Sequence, residues 1–212
     1  MRAKGKLRFG GIEVLAAALA LSVAPGCTRP PASLEDGDQE RAAPVVEDEA
    51  RIFAAADVMV PDEELVDQDG HPVRIRELFA DHVVAVNFVF TTCTTICSPM
   101  SAIFGRLQSG LGPAMERKVR LVSISLDPAT DTPEKLREYA DRFDRRAGWT
   151  FLTGPPDRVA RVLRGLGGQA FVREGHRPLT LIGSTTERRW QRVHGIATPG
   201  RLAAWIQPLV HR

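Results

Sequence analysis

From Val58 onward the chain alternates between short apolar runs and segments whose apolar residues recur every three or four positions. The run Val83-Val84-Ala85-Val86-Asn87-Phe88-Val89-Phe90 is almost unbroken, as in a central strand covered on both faces. Val119 to Leu126 reads the same way. Between them, Met100, Ile103, Phe104 and Leu107 predict a helix over 98–111. Thr132 is placed to cap a second helix with Pro133 in its first turn, carrying Leu136, Tyr139, Ala140 and Phe143 on one face. Trp149 to Leu152 predicts a strand, 157–166 a helix stopped by Gly167-Gly168, 179–182 and 190–193 a strand pair, and the stretch after Thr198-Pro199 a last helix. Ahead of all these, Asp67-Gln68-Asp69-Gly70 between two short strand-like pieces predicts a β-hairpin. This order predicts an α/β fold, a mixed sheet flanked by helices, with an N-terminal β-hairpin extension.

The first 57 residues follow a different pattern. Arg2, Lys4, Lys6 and Arg8 precede an apolar run from Ile12 to Ala24, then Pro25-Gly26 and Cys27, the layout of an export signal. At 1.5 Å per residue this run covers about 20 Å, short of the roughly 30 Å hydrocarbon core, so cleavage is expected over spanning. A cysteine directly after small residues resembles the lipobox of bacterial lipoproteins, although Ala24 stands where those boxes usually carry Leu. Lipidation of Cys27 is the expectation; cleavage without lipidation and an uncleaved anchor stay open. Residues 28–57 hold eight acids, three bases and three prolines. Such a stretch buries too little apolar surface to offset its chain entropy. The expected organisation is an export signal over 1–26, a flexible acidic tether over 27–57 and one folded domain over 58–212, held at the periplasmic face of the cytoplasmic membrane.

Composition narrows the function classes. With 212 residues, 43% hydrophobic and 25% charged, the chain has material for one ordinary core. Its formal charge of +2 comes from the first 26 residues, which hold four bases and one acid; the remainder has 24 bases against 25 acids. A chain so balanced offers no basic face to displace counterions from phosphates, so nucleic acid is not an expected partner. Neither Gly10-Gly11 nor Gly167-Gly168 makes a phosphate loop.

The chemistry concentrates in Phe90-Thr91-Thr92-Cys93-Thr94-Thr95-Ile96-Cys97-Ser98-Pro99. Two cysteines four apart stand at the carboxyl end of a predicted central strand and the start of a helix, where α/β sheets place ligand sites. The helix dipole and unpaired amides there favour thiolates. Residues at i and i+4 of a helical turn have Cβ atoms about 5 to 6 Å apart, which allows a disulfide or two metal–sulfur bonds to one ion. An inert bridge or simple core packing is the plain alternative.

These residues resemble the Sco/SenC family of thioredoxin-like, copper-binding proteins that serve cytochrome c oxidase assembly. The likeness rests on Asn87-Phe88-Val89-Phe90-Thr91 running into Cys93-x-x-x-Cys97, on Ser123-Ile124-Ser125-Leu126-Asp127-Pro128 with Asp131-Thr132-Pro133, and on a lone histidine before a late strand. It implies a thioredoxin-like fold and a copper site of Cys93, Cys97 and His176, taking Cu(I) with Cu(II) as a second state. It further implies a Cys93–Cys97 redox pair able to form a disulfide. The implied partner is the copper-site subunit of cytochrome c oxidase, with another copper donor or a thiol reductant as further partners. Two thiolates and one imidazole also suit Cu(I) on chemical grounds, since a closed zinc site takes four ligands.

The chain departs from the family pattern at Ser98, where proline usually follows the second cysteine, and at Gly175, where an aspartate usually precedes the histidine. His194 is the competing ligand, while His71, His82 and His211 read as surface residues. Asp127 either orients the site or forms a turn. The same cysteines would serve a thiol–disulfide oxidoreductase acting on an exported protein. Thr94-x-x-Cys97 matches half of a peroxidase pattern, but Phe90 stands where that pattern requires proline.

Overall fold

The computed structural model describes residues 50–93, 95–168 and 177–210. The expected export signal, most of the expected tether, Cys27, His176 and His211 lie outside the described residues. One sheet of eight strands carries the fold: β1 (Arg51–Ala54), β2 (Glu64–Asp67), β3 (Pro72–Arg74), β4 (Val83–Val89), β5 (Val119–Ser125), β6 (Trp149–Thr153), β7 (Leu179–Ser184) and β8 (Arg189–His194), in the order β1-β8-β7-β4-β5-β6-β2-β3. The helices are α1 (Ile75–Phe79), α2 (Cys97–Leu111), α3 (Pro133–Asp141), α4 (Pro156–Leu166) and α5 (Pro199–Val210).

Strand β4 is buried at every position, as its unbroken apolar run requires. It pairs parallel with β5, and β5 parallel with β6, so the chain must cross over twice, through α2 and then α3. Alternate residues of the central strands feed two cores. Val84, Val86, Phe88, Val122 and Ile124 pack with Phe79 of α1 and with Val159, Val162 and Leu166 of α4. Ala85, Val89 and Leu121 pack with Phe104 of α2, Leu136 and Tyr139 of α3, and Leu202 and Ile206 of α5. Helices therefore cover both faces, as the strand and helix order predicts.

The punctuation works as the sequence implies. Asp67 Oδ1 accepts the N–H groups of Asp69 and His71, each at 2.8 Å, and Gly70 takes the left-handed conformation at φ +85°. Gln68 Oε1 accepts the Phe151 N–H at 2.8 Å and docks the hairpin on β6. Thr132 caps α3, its hydroxyl accepting the Lys135 N–H at 3.4 Å. Gly167, at φ +74°, ends α4 in a Schellman motif, with the Gly167 N–H on Arg164 and the Gly168 N–H on Leu163.

Two elements differ from the sequence reading. Strand β1, Arg51–Ala54, falls within the stretch expected to be tether, ahead of residue 58 where the folded domain was expected to begin. Four residues carry little periodicity, and β1 is held by pairing with β8 and by the two-pronged Asp57–Arg192 ion pair at 2.6 and 2.9 Å. Helix α1 is a single turn that two buried anchors, Ile75 and Phe79, hold in place. Among the described residues no helix is long and apolar enough to cross a membrane.

Candidate metal centre

Cys93 and Cys97 sit beyond the carboxyl end of β4. The Cys93 N–H donates to the Phe90 carbonyl at 3.2 Å, closing a turn that stops the strand, and Cys97 is the first residue of α2. Although Ser98 follows where the family has proline, the helix still starts at Cys97. Pro99 falls in the first turn, where a missing N–H removes no intrahelical bond. No side chain of the preceding Ile96 caps this helix. The Cys93 sulfur takes that role, accepting the Cys97 N–H at 3.4 Å, with the Thr95 hydroxyl 3.7 Å away. Ser98 Oγ donates to the Cys93 carbonyl at 3.3 Å and ties the turn to the helix.

The two thiols act on each other but differ in character. Burial pushes the Cys93 thiol up, yet the hydrogen bonds it receives from the Cys97 thiol, the Cys97 and Ile96 N–H groups and the Thr95 hydroxyl outweigh burial and bring it down to about 7. Burial pushes the Cys97 thiol up to about 12, helped by its hydrogen bond to Cys93 and by the charges of Cys93 and Asp131, with a backbone bond at Phe90 opposing. The sequence argument from the helix dipole treats both cysteines alike; only the outer one is activated, because Cys97 is almost fully buried. Both are free thiols here. Alkylation by iodoacetamide should accordingly rise with pH through a midpoint near 7 and modify Cys93, leaving Cys97 unlabelled below about pH 9; peptide mapping that finds equal labelling of both would contradict the split.

Tyr139 feels the same thiol: its hydroxyl is 2.9 Å from Ser101 Oγ, and burial, then the Cys97 charge, push its pKa up to about 12. The carboxylate that reaches the cysteine turn is Asp131, not Asp127. Asp127 forms a turn, its carbonyl accepting the N–H groups of Thr130 and Asp131 at 3.0 and 2.9 Å. Asp131 is fully buried and accepts the Thr91 N–H and hydroxyl and the Ser125 hydroxyl. Its position in Asp127-x-x-x-Asp131-Thr132-Pro133 was a visible signal, but the sequence does not say which aspartate turns inward.

Sheet register places further residues at this end. Thr180 of β7 pairs with Asn87 of β4, and Leu179 pairs with His194, so the start of β7 and the end of β8 lie at the carboxyl end of β4. His194 is nevertheless directed to Phe53, its ring edge-on at 5.7 Å. Among the described residues no three of His, Cys, Asp and Glu are grouped to hold a metal. His71 lies exposed beside Asp67, and His82 contacts the carbonyls of Ala80 and Glu116.

The model of the family described as SCO1/SenC matches residues 54–174, more than half of the chain. The chain belongs to the SCO1/SenC family. The SCO1 protein homolog of Bacillus subtilis (strain 168) is 40% identical over 88 residues, 41% of this chain and 45% of its own length. The chain spans about half the length of the curated relatives it matches. Among solved structures, a SCO1/SenC family lipoprotein from Bacillus anthracis str. Ames matches with a TM-score of 0.59 at 20% identity, covering 74% of this chain and 96% of that one. ScoI of Bradyrhizobium japonicum, solved with copper bound, matches with a TM-score of 0.56 at 20% identity, covering 71% and 99%. These likenesses show the thioredoxin-like Sco fold.

Proposed function

We propose that this Sco/SenC domain is a copper metallochaperone. Cys93, Cys97 and His176 hold Cu(I) and pass it to the copper centre of a terminal cytochrome c oxidase, while a lipid on Cys27 keeps the exported domain at the periplasmic face of the cytoplasmic membrane. The observation that carries this reading is the placement of both cysteines at a helix amino terminus, the Cys97 N–H donating to the Cys93 sulfur at 3.4 Å and the Cys93 thiol brought down to about 7. Cysteines so placed can bind one ion at roughly 2.3 Å per sulfur, and soft thiolates with one imidazole select Cu(I). A three-ligand site leaves a position for an incoming ligand, so the ion moves by exchange and is never released to water.

For His176, support comes from the described residues on either side of it. A Cβ on Gly168 would stand 2.5 Å from the Phe88 ring, so the chain leaves α4 pressed against the end of β4. It re-enters the description at Arg177, two residues before β7 begins opposite that same strand end. The test is a Cu(I) competition titration of the reduced full chain against a chromophoric chelator. His176→Ala should weaken binding on the order of a hundredfold, one ligand's share of a metal-site free energy of about 10–16 kcal/mol, while His194→Ala leaves it unchanged. Wild-type affinity in the His176 variant would remove that residue from the site.

The split between the thiols favours a second reading, a thiol–disulfide reductase. The Cys93 thiolate would attack a partner disulfide, and Cys97, losing its proton, would resolve the mixed disulfide, leaving the partner as a dithiol and this chain oxidised. That exchange needs no imidazole, so dependence on His176 separates the two.

A further inference from the structure

The carboxylate of Asp131 is used by neither reading. It is 0% exposed. Among the described residues no ion pair balances it; three hydrogen bonds do. Oδ1 accepts the Thr91 N–H at 3.2 Å and the Thr91 hydroxyl at 2.5 Å, and Oδ2 accepts the Ser125 hydroxyl at 2.6 Å. Ser125 Oγ in turn accepts the Asp127 N–H at 3.1 Å, and the Asp131 N–H donates to the Asp127 carbonyl at 2.9 Å. Burying a carboxylate is costly unless its lone pairs are met, and an apolar residue would fill the same space without that cost. What Asp131 supplies that a leucine would not is direction: it ties the end of β5 and the start of α3 to one particular residue of the cysteine turn.

That residue is Thr91, the second residue of the turn that the Cys93 N–H closes on the Phe90 carbonyl. Cys97 is buried as the first residue of α2 and meets the turn through its own N–H on the Cys93 sulfur and a backbone bond at Phe90. The separation of the two sulfurs thus depends on what holds the turn, and at Thr91 it is the Asp131 carboxylate that accepts both the N–H and the hydroxyl. We propose that Asp131 is a positioning residue, which through Thr91 sets Cys93 against Cys97 so that both sulfurs meet one acceptor, a Cu(I) ion or each other. The inference rests on the reading of the cysteines as a working pair, in either of its forms.

Thr91→Val tests it with the charge untouched: the shape and the N–H stay and only the hydroxyl bond goes. Thr91→Ser restores that bond, and Asp131→Asn removes acceptance on one side. Two readouts on the full chain apply, Cu(I) affinity and the equilibrium constant for oxidation by glutathione disulfide, in which the dithiol and one oxidised glutathione give the protein disulfide and two reduced glutathiones. Groups that hold metal ligands in place typically carry ten- to hundredfold in affinity. Thr91→Val should lower copper affinity by roughly that factor and the oxidation constant by about tenfold, since a loosened turn lowers the effective concentration of one sulfur at the other, and Thr91→Ser should recover both. If the wild-type chain takes up no copper, the metallochaperone reading fails and the oxidation constant alone decides the clasp. A shift in either readout that serine reverses supports the clasp. Both readouts unchanged in Thr91→Val, or a shift that serine does not reverse, overturns it, whatever happens to the thermal midpoint. Should Asp131→Asn fail to fold, the Thr91 pair still decides.

Discussion

Oxidation of the Cys93–Cys97 pair should abolish Cu(I) capture, and Cys93→Ser or Cys97→Ser should each weaken it by a hundredfold or more. The sizes follow from the donor count. A metal-site free energy of about 10–16 kcal/mol divided among its ligands assigns roughly 3 kcal/mol or more to each, two powers of ten in affinity, and a disulfide withdraws two thiolates at once. The measurement is a chelator competition on the chain reduced with a phosphine, repeated after stoichiometric oxidation. The serine variants add a contrast specific to this site. Cys93 is the thiol that is ionised near neutral pH, whereas Cys97 must lose a proton from a thiol that burial holds at about 12. Between pH 7 and 9 the wild type should therefore bind Cu(I) more tightly as pH rises, because the metal displaces the Cys97 proton, and Cys97→Ser should show a flatter profile over that window. Undiminished copper uptake by the oxidised chain would mean that the sulfurs are not the ligands.

Much of this was legible in the sequence, and what was not has physical causes. Strands β4 and β5 and helices α2 and α3 declared themselves because each is long enough for its apolar period to repeat, and α3 also carries its cap in Thr132-Pro133. Strand β1 and helix α1 did not, because four and five residues show no period and each forms only where β8 or the Ile75 and Phe79 anchors hold it. The cysteines could be found from spacing alone, since i and i+4 fix their approach locally. The difference between them could not: it depends on how deeply Cys97 sinks into the core below α4 and on a carboxylate brought in from thirty-odd residues away. Asp131 was missed for the same reason. Its partner Thr91 lies 40 residues earlier, and only the parallel register of β4 with β5, Val89 opposite Ser125, makes them neighbours.

Trp149→Ala should cost about 3–5 kcal/mol of folding stability, the range for deleting a buried large aromatic side chain. Trp149 opens β6, is 1% exposed, and packs with tilted rings at 4.9 Å from Phe151 and 6.0 Å from Phe104 of α2. It also anchors a chain of polar contacts under the site: its Nε1–H donates to Ser123 Oγ at 3.0 Å, and that hydroxyl donates to Asn87 Oδ1 at 2.6 Å. The two contributions can be separated. Trp149→Phe keeps most of the ring contacts and removes only the indole donor, which should cost about 1 kcal/mol, the net worth of a typical internal hydrogen bond. Urea unfolding of the reduced, copper-free chain measures both, with an unchanged denaturant slope as the check that the unfolded ensemble is the same. If the alanine variant loses no more than the phenylalanine variant, the ring is not what braces the core. If the alanine variant loses the full amount, the cysteine turn is carried on strands whose mutual position depends on a residue outside the proposed ligand set, and destabilised chains would lose copper by unfolding while the cysteines remain intact.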